Sequence, residues 1–289
     1  MRLILLICLT MLAFAANSLL TRAGVVAGAD PMQFAVLRVV AGAVTLCGLV
    51  ALRGRNAGGG FQLFAAQRVF GALALVTYLI GFSLAYRVLD AGLGALILFG
   101  VVQMGLFGYA LARRQPVSIF RWSGMGLAMV GLAWLVWPVP AVAEETVVRV
   151  DLWGAVLMAV AGLAWAAYTV NGQGARDPLG ASAGNFAWAA VGMLPVLVLV
   201  PSGGMPLIGA LSAIASGAIA SGLGYALWFK VLPQIQTTTA GIAQLSVPVI
   251  ALVLGAVLLG EVPDVRAMLA ASVVIAGIGV AMIPSRARA

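Results

Sequence analysis

Arg38 is the single cation of this chain inside a long apolar run, and no Asp or Glu falls in any such run with it. A charge at membrane depth is costly, so such residues face a bundle interior or a wet path and carry function. Two roles fit it. Its stem can stretch toward the headgroups, or its guanidinium can stand ready for a carboxylate that arrives on a substrate. Other apolar runs hold a few uncharged polar residues, Asn17, Gln103, Tyr168, Asn171, Asn185, Gln244 and Ser246. Tyr78 and Phe82 are four apart and share one helical face, as do Ser221 with Tyr225 and Phe99 with Gln103. Together with Trp165 these faces could wall a cavity that stacks a flat or apolar solute while amides orient its polar end. Taken singly, each aromatic is equally suited to packing, and Gln103 or Gln244 to a hydrogen bond that only joins two helices.

Covalent chemistry has little to work with. The chain has no histidine, which removes the commonest general base and imidazole metal ligation. Cys8 and Cys47 lie in separate apolar runs, so no disulfide is expected. No Ser or Thr has a visible activating partner, and neither a metal nor a cofactor is expected. An integral membrane enzyme is therefore disfavoured against non-covalent handling of a small molecule.

The elements that must position these residues are membrane helices. Apolar residues make up 63% of the chain and charged residues 8%, which leaves most of its surface for lipid or other helices. A run of about 20 apolar residues spans the hydrocarbon as a helix, because lipid offers the backbone no hydrogen-bond partner. Ten such runs are read from the sequence: Leu3–Leu20, Met32–Leu52, Val69–Tyr86, Ala91–Ala112, Trp122–Val136, Leu152–Val170, Ala183–Val200, Leu207–Phe229, Thr238–Leu259 and Met268–Ile283. The first imitates a secretory signal, with Arg2 and Ala13-Phe14-Ala15-Ala16, but its apolar character continues to Leu20 and retention as a span is expected. Trp134, Trp137 and Trp153 fall near run ends, as interfacial anchors do.

Charge placement tests the count, since cytoplasmic loops hold the Lys and Arg. With both termini inside, eleven cations and the single acid Asp177 fall on one side; Arg22, Arg87, Arg149 and Arg266 face seven acids on the other. The net charge of +8 thus reads as topology, and no nucleic-acid partner is expected. The partners expected are the lipid bilayer and a small-molecule substrate.

The chain also repeats. Leu12-Ala13-Phe14-Ala15-Ala16 matches Leu163-Ala164-Trp165-Ala166-Ala167, and Phe34-Ala35 matches Phe186-Ala187. Ala85-Tyr86-Arg87-Val88-Leu89 corresponds to Trp228-Phe229-Lys230-Val231-Leu232. The expected fold is an all-α polytopic membrane protein of ten transmembrane helices, in which residues 1–137 and 152–289 are five-helix repeats joined by a periplasmic linker, 138–151. Five is odd, so the second copy enters the membrane inverted, an arrangement that lets two halves open alternately around a midplane site.

With the ten runs and the two halves in view, Phe34 to Leu37-Arg38 and Leu259-Gly260-Glu261 give the chain a resemblance to the EamA family of the drug/metabolite transporter superfamily. The spacing of Tyr78, Phe82, Phe99 and Trp165 is similar to that of bacterial aromatic amino acid exporters. Arg114-Gln115 stands where the second half has Gly260-Glu261, a departure from the family pattern. The resemblance implies a multi-pass protein of the bacterial cytoplasmic (inner) membrane that exports small metabolites, amino acids including aromatic ones among them. It also implies a role for Arg38 shared across the family. The candidate substrate-binding set is Asn17, Arg38, Tyr78, Phe82, Phe99, Gln103, Trp165, Tyr168, Tyr225 and Gln244. Absence of an intramembrane carboxylate or histidine argues for transport without proton coupling. Carriage of a drug, nucleotide sugar or organic anion, and a channel, stand as alternatives.

Overall fold

In the computed structural model, residues 2–53, 66–114, 118–136, 151–173, 175–200, 203–235, 237–244, 246–281 and 283 are described. Among them are helices and no strand. The first half comprises α1 (Arg2–Val26), α2 (Pro31–Arg53), α3 (Ala66–Ala85), α4 (Ala91–Ala112) and α5 (Ile119–Val136). The second comprises α6 (Leu152–Gly172), α7 (Pro178–Met193) with the short α8 (Val196–Leu199), and then α9 (Leu207–Ala215), which runs through a π-helical segment (Ser216–Leu223) into α10 (Gly224–Val231). It ends with α11 (Thr237–Gln244), α12 (Ser246–Leu254) with a π turn (Gly255–Leu259), and α13 (Val265–Ala281). Each apolar run read from the sequence contains helix, the seventh broken by a turn at Leu194-Pro195. Among the described residues, six stretches are long and apolar enough to cross a membrane: Arg2–Val26, Pro31–Arg53, Gln67–Ala85, Ala91–Ala112, Leu152–Gly172 and Leu207–Gln234.

Two ends that carry cations differ from expectation. The first helix runs on to Val26 and so takes in Arg22, whose charge is met by acids from elsewhere in the chain. The third begins at Ala66, which draws Arg68 out of the expected loop and buries it. Pro195 does not kink a continuous helix but separates α7 from α8, while Pro248 lies in the first turn of α12, where a missing N–H matters least. Trp134 and Trp153 are exposed, as anchors must be. Trp137 and linker residues 138–150 lie outside the described residues.

The order of packing crosses the two halves. The first helix lies against α9, the π segment and α10, while α6 lies against α3; α2 rests on α7 and on the π segment; α5 pairs with α13 at the edge. Charges tie the two ends. At one end Arg22 donates from Nε to Glu261 at 2.8 Å, from Nη2 to Asp90 at 3.0 Å and from Nη1 to the Tyr86 carbonyl at 3.0 Å. Gly260, at φ 69°, supplies the left-handed residue that ends the π turn and aims Glu261 back at the N-terminus of α4, where it accepts from Ala91 N at 2.8 Å. The sequence assigns Arg22, Asp90 and Glu261 to the same side, and they meet in one network.

At the opposite end Arg53 forks onto Asp177 at 2.8 and 2.7 Å. This bond, chiefly, holds the Asp177 carboxyl below its ordinary 3.8. A depressed folded-state value means that the pair's stabilisation is fully present above the unfolded value and fades as pH falls through the folded one. Arg53→Gln is therefore expected to leave melting temperature less dependent on pH on the acid side, in melts from about pH 7 down to about pH 3. A variant with the same acid-side slope as wild type would show that the pair contributes nothing.

Candidate functional site

Arg38 is fully buried, so its stem does not reach outward to the headgroups. Its Nε donates to Ser221 Oγ at 2.9 Å, and its Nη2 donates to Tyr78 OH at 3.1 Å and Tyr225 OH at 2.9 Å. The guanidinium carbon stands 5.3 Å from the Tyr78 ring centroid and 5.1 Å from that of Phe82, within cation–π range. Five hydroxyl and ring contacts thus surround the charge, and none of them neutralises it. Its Nη1 has no acceptor among the described residues.

The π segment explains how Ser221 reaches this point. Asn17 Oδ1 accepts from Ser216 Oγ at 2.8 Å and from Ser221 Oγ at 3.1 Å. In an α-helix, residues five apart point roughly 140° from one another, whereas i→i+5 winding brings them round to one face. With both serines committed as donors, the Asn17 Nδ2 is left buried without a partner. The network therefore ends in two donors, Arg38 Nη1 and Asn17 Nδ2, and offers no acceptor to match them.

In front of Arg38 lies a small cavity of about 10 Å³, lined by Phe14, Asn17, Ser18, Tyr78, Phe82, Leu98, Phe99, Trp165 and Tyr225. Trp165 is fixed from three sides. It donates from Nε1 to Gln244 Oε1 at 2.8 Å, meets Phe14 edge-on at 5.2 Å and stacks on Tyr168 at 5.4 Å. Tyr225 closes the ring, 4.6 Å from Trp165, with its hydroxyl donating to Tyr78 OH at 3.2 Å. Pockets that hold drug-sized ligands enclose about 300–1,000 Å³, whereas this one has room for about a single water, so it is closed and must open to hold an amino acid.

Of the residues singled out in the sequence, Asn17, Tyr78, Phe82, Phe99, Trp165 and Tyr225 line the cavity, with Arg38 in the wall behind and Gln244 bracing Trp165. Tyr168 stands one layer out, stacked between Trp165 and Phe229. Gln103 is not brought to the site: it is half-buried where α4 meets α11, and a side chain at Gly241 would strike its amide. Ser246 is exposed and bonds the Ala243 carbonyl. Missed were Phe14, Ser18, Leu98 and Ser216. Phe14 had a signal, being the repeat counterpart of Trp165, and the two rings meet at the centre; Ser216 had none without knowledge of the π winding.

Membrane-length helices packed around a buried aromatic cavity place the chain among multi-pass helical membrane proteins. Residues 152–283 match the EamA-like transporter family. Over 297 aligned positions the chain is 42% identical to an uncharacterized protein of Pseudomonas aeruginosa, with 100% of this chain and 97% of that one covered. A protein crystal structure shares the fold at a TM-score of 0.71 and 16% identity, with 99% of each chain covered. Residues 152–283 thus carry an EamA-like transporter domain, which supports a place in the drug/metabolite transporter superfamily. The family of that domain is one of membrane transporters.

Proposed function

We propose that the protein carries small carboxylate-bearing metabolites, amino acids with flat or aromatic side chains among them, by alternating access and without proton coupling. One observation carries the reading: a fully buried guanidinium without a carboxylate partner stands behind a ring-walled cavity. A substrate carboxylate supplies the missing charge as the cavity widens, and the rings of Trp165, Phe99 and Phe82 hold the rest of the molecule.

The alternating mechanism is supported by the crossed packing of the halves, since α1 rests on the third helix of the second half and α6 on the third helix of the first. Two inverted five-helix repeats, 1–137 and 152–289, would pack in this way, and the family match begins at residue 152. The Arg22 network and the Arg53–Asp177 pair each latch one end of the bundle. In our reading the former faces the periplasm of a bacterial inner membrane, and both chain termini are cytoplasmic.

Proteoliposome counterflow tests this. Labelled phenylalanine, tryptophan and benzoate should exchange saturably, and amines that lack a carboxylate should not. Tyr78→Phe, which keeps the ring and removes one hydroxyl from Arg38, is expected to weaken apparent substrate affinity by about tenfold at most. Equal flux of carboxylates and matching amines would refute the substrate class, and a fixed proton stoichiometry would refute the uncoupled mechanism.

A further inference from the structure

Arg68 is the second buried cation, 2% exposed, and the carrier mechanism just given does not use it. It stands at the third position of α3, ten residues before Tyr78, so the two guanidinium clusters are separated by roughly 15 Å along that helix. Its Nη1 donates to Asn185 Oδ1 at a long 3.4 Å, and its Nε has no acceptor among the described residues. Two further donors converge there. A side chain at Gly71, one turn along α3, would strike Asn185 Oδ1 and Asn171 Nδ2, so both amides press on the same stretch of backbone. The Asn171 Nδ2 is buried without a partner, while the Asn185 amide lies against the Tyr168 hydroxyl.

No acid of the described chain is free to serve this cluster. Asp90 and Glu261 hold Arg22, and Asp177 holds Arg53. Asp30 accepts from Met32 N and Gln33 N, Asp151 from Gly154 N and Asp264 from Ala267 N, each at a helix start. A buried single charge surrounded by surplus donors is costly, and its chemical complement is an acceptor-only group of charge minus one. A carboxylate has that charge, and its oxygens suit both the guanidinium fork and the amides.

We propose that Arg68, Asn171 and Asn185 form a second carboxylate site, separate from the Arg38 cage, at the end of the bundle latched by Arg53 and Asp177. The inference rests on the carboxylate-carrier reading and extends it: one substrate carboxylate is held at two depths. A string of rings joins them. Tyr168, three residues before Asn171 on α6, stacks on Trp165 and lies 5.9 Å from Tyr225, whose hydroxyl touches Arg38. The substrate ring moves along this string while its carboxylate passes from one arginine to the other.

Equilibrium dialysis of the full-length protein in detergent with labelled benzoate tests it. Wild type should bind two benzoates per chain. Arg38→Gln and Arg68→Gln should each bind one, and the double variant none, with the affected site weakened by about tenfold or more. Asn185→Asp gives Arg68 a built-in carboxylate. That variant should therefore bind one benzoate and melt higher than wild type, which keeps the test decisive if Arg68→Gln fails to fold. Two benzoates retained in Asn185→Asp, or none bound by Arg38→Gln, would overturn the second site. Chloride displacing the Arg38→Gln benzoate at equal concentration would overturn its carboxylate character. An unchanged pair of sites in Arg38→Gln, with one lost in Arg68→Gln, would sink the Arg38 reading and leave this site standing.

Discussion

Arg38→Met is expected to make the protein more resistant to heat and to abolish transport. Stability should rise because the substitution creates no new orphan. Tyr225 OH still donates to Tyr78 OH, and Ser221 and Ser216 still donate to Asn17, so the hydroxyls keep partners once the guanidinium has gone. What disappears is a buried charge that no acid neutralises, together with its unpartnered Nη1. Exchange of buried ionic groups for apolar ones of similar volume commonly stabilises by about 1–4 kcal/mol. Transport should fall by at least about a hundredfold, the ordinary effect of taking away one partner of a desolvated charge pair. The two readouts together separate function from architecture. A guanidinium that merely holds helices together would lose stability on removal, and a melting temperature below wild type, or residual flux above about a tenth, would contradict the role assigned to it.

The sequence made the outline of the fold legible because its two signals are one-dimensional. Apolar length marks a span wherever it occurs, and cation bias sorts the ends; Arg22, Asp90 and Glu261, assigned to one side by arithmetic alone, sit in one network. Local faces were legible too, since residues four apart on a helix share a side. Tyr78 with Phe82 and Ser221 with Tyr225 do converge on Arg38. Three features were not legible, each for a different reason. Arg68 stands beside a polar break, where a charge reads as loop unless the helix is known to start two residues earlier. The convergence of Ser216 with Ser221 needs five-residue winding, which no periodicity of 3.6 suggests. Gln103 and Gln244 read from the sequence as counterparts on the fourth and ninth runs, yet Gln244 bonds Trp165 while Gln103 lies outside the cavity. Repeats share backbone paths, and a neighbour's side chains decide what each copy meets.

The same crossing that shapes the cage makes it vulnerable at one glycine. Gly217 in the π segment lies against α2 so closely that a Cβ there would overlap the carbonyl oxygen of Arg38 and stand 2.9 Å from the Ala41 Cβ. From the other side, a Cβ on Gly42 would come within 2.9 Å of the Gly217 carbonyl. Backbones that touch leave nothing flexible to yield, so the helices themselves must part. Gly217→Val is expected to destabilise by about 3 kcal/mol, the upper end for overpacking, because the obstacle is main chain. Transport should go with it, since Ser221, one turn away, would be drawn off the Arg38 Nε that it accepts from. Gly108→Ala and Gly126→Ala give the contrast. Nothing lies within 4 Å of a Cβ at either position, and both are in helices. There the gain in helix propensity should leave stability unchanged or raise it by up to about 1 kcal/mol. Thermal melts and counterflow on the three variants decide the matter: a Gly217→Val protein that melts with wild type would mean that α2 and the π segment do not press together at the depth of the arginine, and the cage would lose the contact that builds it.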